Sequence, residues 1–147
     1  MVVNLFYRAD ADQDLQTASQ KLSDSENTCP FCPVTTDRIV ATHNSFVIVR
    51  NSYPYAAWEN NEVVEHLMLV PVRHTASLLE LYDAELSEWA DLTRQAETLG
   101  HNIYHRSWSN ANRSVGHQHT HLLKLGGKIP VPELARRFHS WAGAGAR

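Results

Sequence analysis

A chain of 147 residues, 43% of them hydrophobic, fits one domain with a core large enough to fold without disulfides. Its net charge of −3 and isoelectric point of about 6.3 leave no overall electrostatic footprint for nucleic acid or an anionic membrane. The start, MVVNLFYRADADQD, lacks the charged opening and apolar core of a secretory signal, and the mainly apolar run from Val63 to Val72 is interrupted and too short to span a bilayer. A soluble, cytoplasmic protein with no nucleic-acid and no membrane partner is therefore expected.

Residues 1–28 read as an N-terminal extension, polar from Asp10 to Asn27 with weak helical content around Leu15 to Leu22, and residues 29–147 as a single domain. The extension leads into Cys29-Pro-Phe-Cys32. A C-x-x-C pair is either a redox dithiol or half of a metal site, and the thioredoxin-like βαβ context of the first is absent. Asp37 to Arg50 predicts a hairpin turning at His43-Asn44-Ser45, followed by a loop over NSYPYAAWENNE. His66 to Val72 is of strand length and ends at Pro71. Asp83 is the expected N-cap of a helix reaching about Leu99 and stopped by Gly100, with Leu86, Trp89, Ala90, Thr93, Ala96 and Leu99 near one face. Strands follow over Ile103 to Trp108 and Ser114 to Leu125, the second ended by Gly126-Gly127. A final helix from Pro132 carries Leu134, Phe138 and Trp141 on one side. The order β-β-β-α-β-β-α predicts an α+β protein, with an antiparallel sheet of about five strands, one long helix packed on it and a C-terminal helix.

Nine histidines are many for this length, and three of them stand in Ser114-Val-Gly-His117-Gln-His119-Thr-His121. On a strand, alternation sends His117, His119 and His121 to one face, with about 7 Å between successive Cα atoms. Three imidazoles on a buried face are costly unless each has a partner. Such a row is a metal site, a phosphate-handling site, or both.

CPFC, NSYPY, HLMLVPVRH and SVGHQHTHLL, in that order, resemble the histidine triad (HIT) superfamily, and the two cysteines its zinc-containing C-x-x-C branch. The resemblance runs from Cys29 to about Leu125. It implies a HIT-like fold and Cys29, Cys32, His74 and His117 as the ligands of a structural zinc, a set of two thiolates and two imidazoles suited to a closed tetrahedral site. It also implies His119 as the nucleophile on the α-phosphate of a nucleotide-like small molecule, with His121, His66 and Ser114 handling phosphate or orienting the strand, and Asn51 binding ribose. Without the resemblance, His66 reads equally as a strand-end histidine and Asn51 as part of a proline-ordered turn. Members are commonly homodimers, which is the oligomer expected here.

The chain departs from the family pattern in three places. The residues between the triad histidines are polar, Gln118 and Thr120, and face away from the site. The preceding loop is SNANRSVG where relatives carry a glycine-rich turn and Gly-Gln: Asn110 or Asn112 replaces the usual asparagine, and Arg113 adds a positive charge close to a phosphate site. The stretch AAWENNEVVE lengthens the link between YPY and His66, and Trp58 within it is a candidate for a distinct substrate pocket. The expected function is a nucleotide hydrolase or transferase acting through a covalent nucleotidyl-histidine on a nucleoside polyphosphate, dinucleoside polyphosphate or phosphoramidate. A nucleotidyltransferase or phosphorylase with a phosphate or sugar-phosphate acceptor uses the same site. The contrasting readings are a non-catalytic nucleotide-binding zinc module and a purely structural zinc protein; the last leaves His66, His119 and His121 without a role.

Overall fold

The computed structural model describes residues 7–8, 29–111 and 113–130; the helical content expected around Leu15 to Leu22 and the helix expected from Pro132 lie outside them. Seven described strands join in one antiparallel sheet: β1 (Tyr7–Arg8), β2 (Ile39–Thr42), β3 (Phe46–Arg50), β4 (Tyr55–Trp58), β5 (Asn61–Pro71), β6 (His101–Tyr104) and β7 (Thr120–Lys128). One α-helix, α1 (Asp83–Thr98), crosses from β5 to β6, so the class is α+β as expected. No described helix is long and apolar enough to cross a membrane.

β5, at 11 residues, organises the sheet. β7 runs along one side of it, from Asn61 opposite Lys128 to Leu69 opposite Thr120. The other side is shared: β4 pairs with its first two residues, and β3 with Leu67 to Pro71. β2 adds beyond β3, β6 beyond β7, and β1 beyond β4.

Strand alternation divides the core into two faces. Phe46, Leu69 and Leu122 point to one side and pack against Leu92, Ala96 and Trp89 of α1. Val47, Val49, Met68 and Val70 point to the other and are covered by Cys29 and Phe31. The knuckle and the helix thus sandwich the same strands, and the histidines lie on the knuckle side.

Several expectations need correction. The stretch read as a loop at NSYPYAAWENNE contains β4 and the β4–β5 hairpin; Glu59 (φ 49°) and Asn60 (φ 63°) supply the two left-handed positions of a two-residue turn between Trp58 and Asn61. The turn was hidden because neither position is glycine. Trp58, the candidate for a distinct substrate pocket, is a core residue at 7% exposure, stacked on Tyr55 with ring centroids 5.6 Å apart.

The helix is capped by Tyr82, one residue before Asp83, with the Glu85 carboxylate accepting from the Tyr82 N–H at 2.9 Å. Its buried positions are Glu85, Leu92, Thr93 and Ala96, with Trp89 half-buried; Leu86 and Leu99, expected on the inner face, are 43% and 66% exposed. The inner stripe runs through 85, 89, 92 and 96, which puts Leu86 and Leu99 at its solvent edge. Gly100 does terminate the helix, at φ +85°.

β6 begins at His101, not Ile103, and ends at Tyr104. β7 begins at Thr120 rather than Ser114, because the preceding backbone is engaged elsewhere: the Gln118 N–H donates to the Thr75 carbonyl at 2.6 Å. Gly126 and Gly127 lie inside β7 and do not end it; at Gly126 a Cβ would stand 2.8 Å from Val64 Cγ1, so the close approach requires glycine.

Candidate active site and metal centre

Cys29 and Cys32 lie in the tight turn that opens the described core, where the Cys32 N–H donates to the Cys29 carbonyl at 3.0 Å and the Phe31 N–H points at Cys29 Sγ at 3.4 Å. His74 follows the end of β5, and His117 precedes β7. One donor atom from each of the four falls within 4.8 Å of all the others. His117 Nε2–H donates to the Pro71 carbonyl at 2.9 Å, which leaves the Nδ1 lone pair facing Cys29 Sγ at 3.4 Å and Cys32 Sγ at 3.3 Å. His74 Nδ1 stands 3.3 Å from Cys32 Sγ. A tetrahedral ion with ordinary zinc–sulfur and zinc–nitrogen bonds separates its sulfur and nitrogen ligands by about 3.6 Å. The four residues are therefore compatible with a metal site, and soft thiolate-plus-imidazole donors suit zinc over magnesium or calcium. Burial, with His74 beside it, holds His117 down to about 4, so the ring is neutral at neutral pH and its Nδ1 lone pair is unprotonated.

His119 is anchored the other way round. Its Nδ1–H donates to the His117 carbonyl at 2.9 Å, and a carbonyl can only accept, so the lone pair sits on Nε2. The ring is 8% exposed and packs against Phe31 at 5.4 Å and His121 at 4.9 Å between centroids. Burial first, and then the nearby charges of Arg113 and Arg106, hold it down to about 4. At neutral pH it is an uncharged imidazole with a fixed tautomer.

His66 and His121 form a relay beside it. The Tyr55 N–H donates to His66 Nδ1 at 3.0 Å, so the His66 proton is on Nε2. That proton faces His121 Nδ1 at 2.8 Å, which places the His121 proton on Nε2 in turn. Both residues point to the knuckle side because His66 is two residues before Met68, the strand partner of His121.

No family model matches the chain, and no curated protein matches it. Solved structures do. A hypothetical protein from Leishmania major superposes with a TM-score of 0.55 at 18% identity, over 83% of this chain and 99% of that one. Diadenosine triphosphate hydrolase from Plasmodium falciparum, in complex with cyclomarin A, gives 0.54 at 15% identity, over 69% and 70%. A HIT family hydrolase from Legionella pneumophila Philadelphia 1 gives 0.50 at 20% identity, over 71% and 97%. The chain has the histidine triad fold.

Within that fold, the remaining sequence-derived candidates fall in two groups. Asn51 joins the histidines: its Oδ1 accepts from the Tyr53 N–H at 2.9 Å, and its amide nitrogen lies 3.0 Å from His66 Nε2. Because that Nε2 carries a proton, the ring acceptor for the Asn51 amide is His66 Nδ1, at 3.4 Å. Asn110, Arg113 and Ser114 belong to the loop between β6 and β7. Asn110 is exposed and its carbonyl accepts from the Arg113 N–H at 3.0 Å; Arg113 and Ser114 are half-buried. Asn112 lies outside the described residues. Thr120 faces away from the histidines, its Oγ1 accepting from Trp89 Nε1 at 3.0 Å and tying the sheet to α1, and Gln118, just before β7, is buried.

Three contributors are not among the sequence-derived candidates. The Tyr55 amide fixes the His66 tautomer, a backbone role to which the side chain gives no clue. Phe31, between the two cysteines, supplies a ring to both His117 (5.8 Å) and His119 (5.4 Å); its apolar character inside C-x-x-C was the available signal. Arg106 bears on His119 through its charge.

Proposed function

We propose that the protein is a nucleotide hydrolase or transferase whose His119 Nε2 attacks the α-phosphorus of a nucleoside polyphosphate, dinucleoside polyphosphate or phosphoramidate. One observation carries this reading: His119 Nδ1–H is committed to the His117 carbonyl, so a neutral ring offers Nε2 as a lone pair beside the His66–His121 relay. The likeness in fold to a diadenosine triphosphate hydrolase supports the same class of substrate.

In the first step the Nε2 lone pair forms an N–P bond as the bond from phosphorus to the leaving group breaks, its pair going to the leaving oxygen, or to a leaving nitrogen that has first taken up a proton from solvent and departs as the amine. His121 Nε2–H and the Ser114 hydroxyl are the donors assigned to the phosphate oxygens, and Asn51 is assigned to ribose. In the second step a water oxygen bonds to phosphorus, the N–P pair returns to Nε2, one water proton stays on the nucleoside monophosphate and the other passes to solvent. A phosphate or sugar phosphate in place of that water makes the same site a phosphorylase or nucleotidyltransferase.

Cys29, Cys32, His74 and His117 would hold a structural zinc. Bound there, it would fix the backbone of His117, whose carbonyl sets the His119 tautomer.

The test is turnover of adenosine phosphoramidate and diadenosine polyphosphates by the wild type and His119→Gly. Loss of the nucleophile is expected to lower kcat by at least about a thousandfold. Turnover surviving in the variant sinks the assignment.

A further inference from the structure

Arg113 is half-buried, and its guanidinium is turned back onto the loop that carries it. Nε donates to the Val115 carbonyl at 3.0 Å and Nη2 to the Gly116 carbonyl at 2.7 Å. Three of its five N–H donors make no hydrogen bond among the described residues, and no described carboxylate lies within ion-pair distance of it. Glu80 is the acidic group whose charge acts on Arg113, but its carboxylate is already engaged by Thr75 Oγ1 at 2.7 Å and the Ala76 N–H at 2.9 Å. A partly desolvated cation without a bonded counter-ion is costly, and the structure holds this one by two carbonyls immediately before His117. The positive charge of Arg113 also bears on His117, His119 and His105, and that of Arg106 on His119. The approach to His119 is therefore cationic on its loop side.

We infer that Arg113 forms an anion subsite for the leaving group, so that the substrate carries a phosphate or polyphosphate there and not a neutral amine. The inference rests on the reading of His119 as the nucleophile and names the substrate class. When the bond from the α-phosphorus to the bridging oxygen breaks, the electron pair and a negative charge stay on the departing phosphate. The guanidinium offsets that charge and no proton is required. An amine departs only after taking up a proton, and the same cation opposes a positive charge forming beside it.

The experiment compares kcat/KM for diadenosine triphosphate and adenosine phosphoramidate in the wild type, Arg113→Gln and Arg113→Lys, and measures tripolyphosphate binding by calorimetry in each. Arg113→Gln is expected to lose at least about tenfold on the dinucleotide and in tripolyphosphate affinity, the size of a charge-assisted hydrogen bond, and to change less than about threefold on the phosphoramidate. Arg113→Lys keeps the charge but gives up the paired carbonyl contacts, and retains the preference. Equal losses on both substrates, unchanged tripolyphosphate binding, or a lysine variant as impaired as glutamine overturn the inference in favour of a loop clamp. If neither nucleotide is turned over by the wild type, the reading of His119 fails, while tripolyphosphate binding lost in Arg113→Gln still upholds the anion subsite.

Discussion

His117 and His119 are two residues apart and present opposite ring nitrogens. His117 gives its Nε2–H to Pro71 and faces the cysteines with Nδ1; His119 gives its Nδ1–H to His117 and keeps the lone pair on Nε2. Neither role is visible in the letters H-x-H, because the deciding partners are main-chain carbonyls. What the sequence did show was the unusual density of imidazoles and the C-x-x-C pair, and those residues do cluster in space. Strand alternation does not extend over the whole triad: β7 begins at Thr120, so of the three only His121 sits on a strand. The pH consequence is direct. The proposed attack by Nε2 needs the neutral His119 ring, and burial holds its pKa down to about 4. The acid limb of kcat/KM is expected near pH 4, well below the ordinary histidine value. A limb near pH 6.5 contradicts the buried, cation-flanked setting.

At the level of elements, α1 is held to the sheet by polar contacts as well as by its apolar stripe. Glu85 accepts from Arg73 Nε at 3.1 Å and Nη2 at 2.6 Å and from the Tyr82 N–H, while Glu88 accepts from the Ser45 N–H at 3.0 Å at the β2–β3 turn. The hydrogen bond from Arg73 is the main reason the Glu85 carboxyl lies below its ordinary range. Glu85→Gln is expected to destabilise by about 1–2 kcal/mol in urea unfolding at pH 7, a figure kept low because Arg73 is 37% exposed. A depressed carboxyl contributes stability above its unfolded pKa and loses it as pH falls through the folded value, so the difference between wild type and variant closes below about pH 4.5. A difference that persists at pH 3 would assign the effect to packing.

The β4–β5 hairpin offers a stabilising change. Asn60 at φ 63° pays a left-handed cost that glycine avoids, and Asn60→Gly is expected to raise stability by up to about 1 kcal/mol. The helix and the β2–β3 hairpin were legible because their periodicity and turn residues are strong. The β4–β5 hairpin was not, since Glu59-Asn60 resembles any polar loop.

Over the molecule as a whole, the four candidate ligands come from three separated segments: the knuckle, the exit of β5 and the approach to β7. An ion there joins the cover over one sheet face to the segment carrying His119. One zinc per chain is expected by elemental analysis, absent in Cys32→Ser. Chelation is expected to lower the melting temperature by more than about 5 °C, since metal binding free energy is folding free energy. A metal-free wild type that melts unchanged removes the ion from the stability of the fold. The separation of the segments also explains why no single stretch of sequence announces the site: CPFC alone is ambiguous, and becomes a candidate metal site only once the sheet brings His74 and His117 to it.

The central claim, a covalent bond from His119 Nε2 to phosphorus, is tested most directly by intact-mass measurement after a rapid quench from adenosine phosphoramidate or diadenosine triphosphate. An acid-labile nucleotidyl adduct on the wild type, mapped to His119 and missing from His119→Gly, is the predicted result. A folded wild type that turns substrate over while carrying no adduct, or an adduct that maps to another residue, contradicts it.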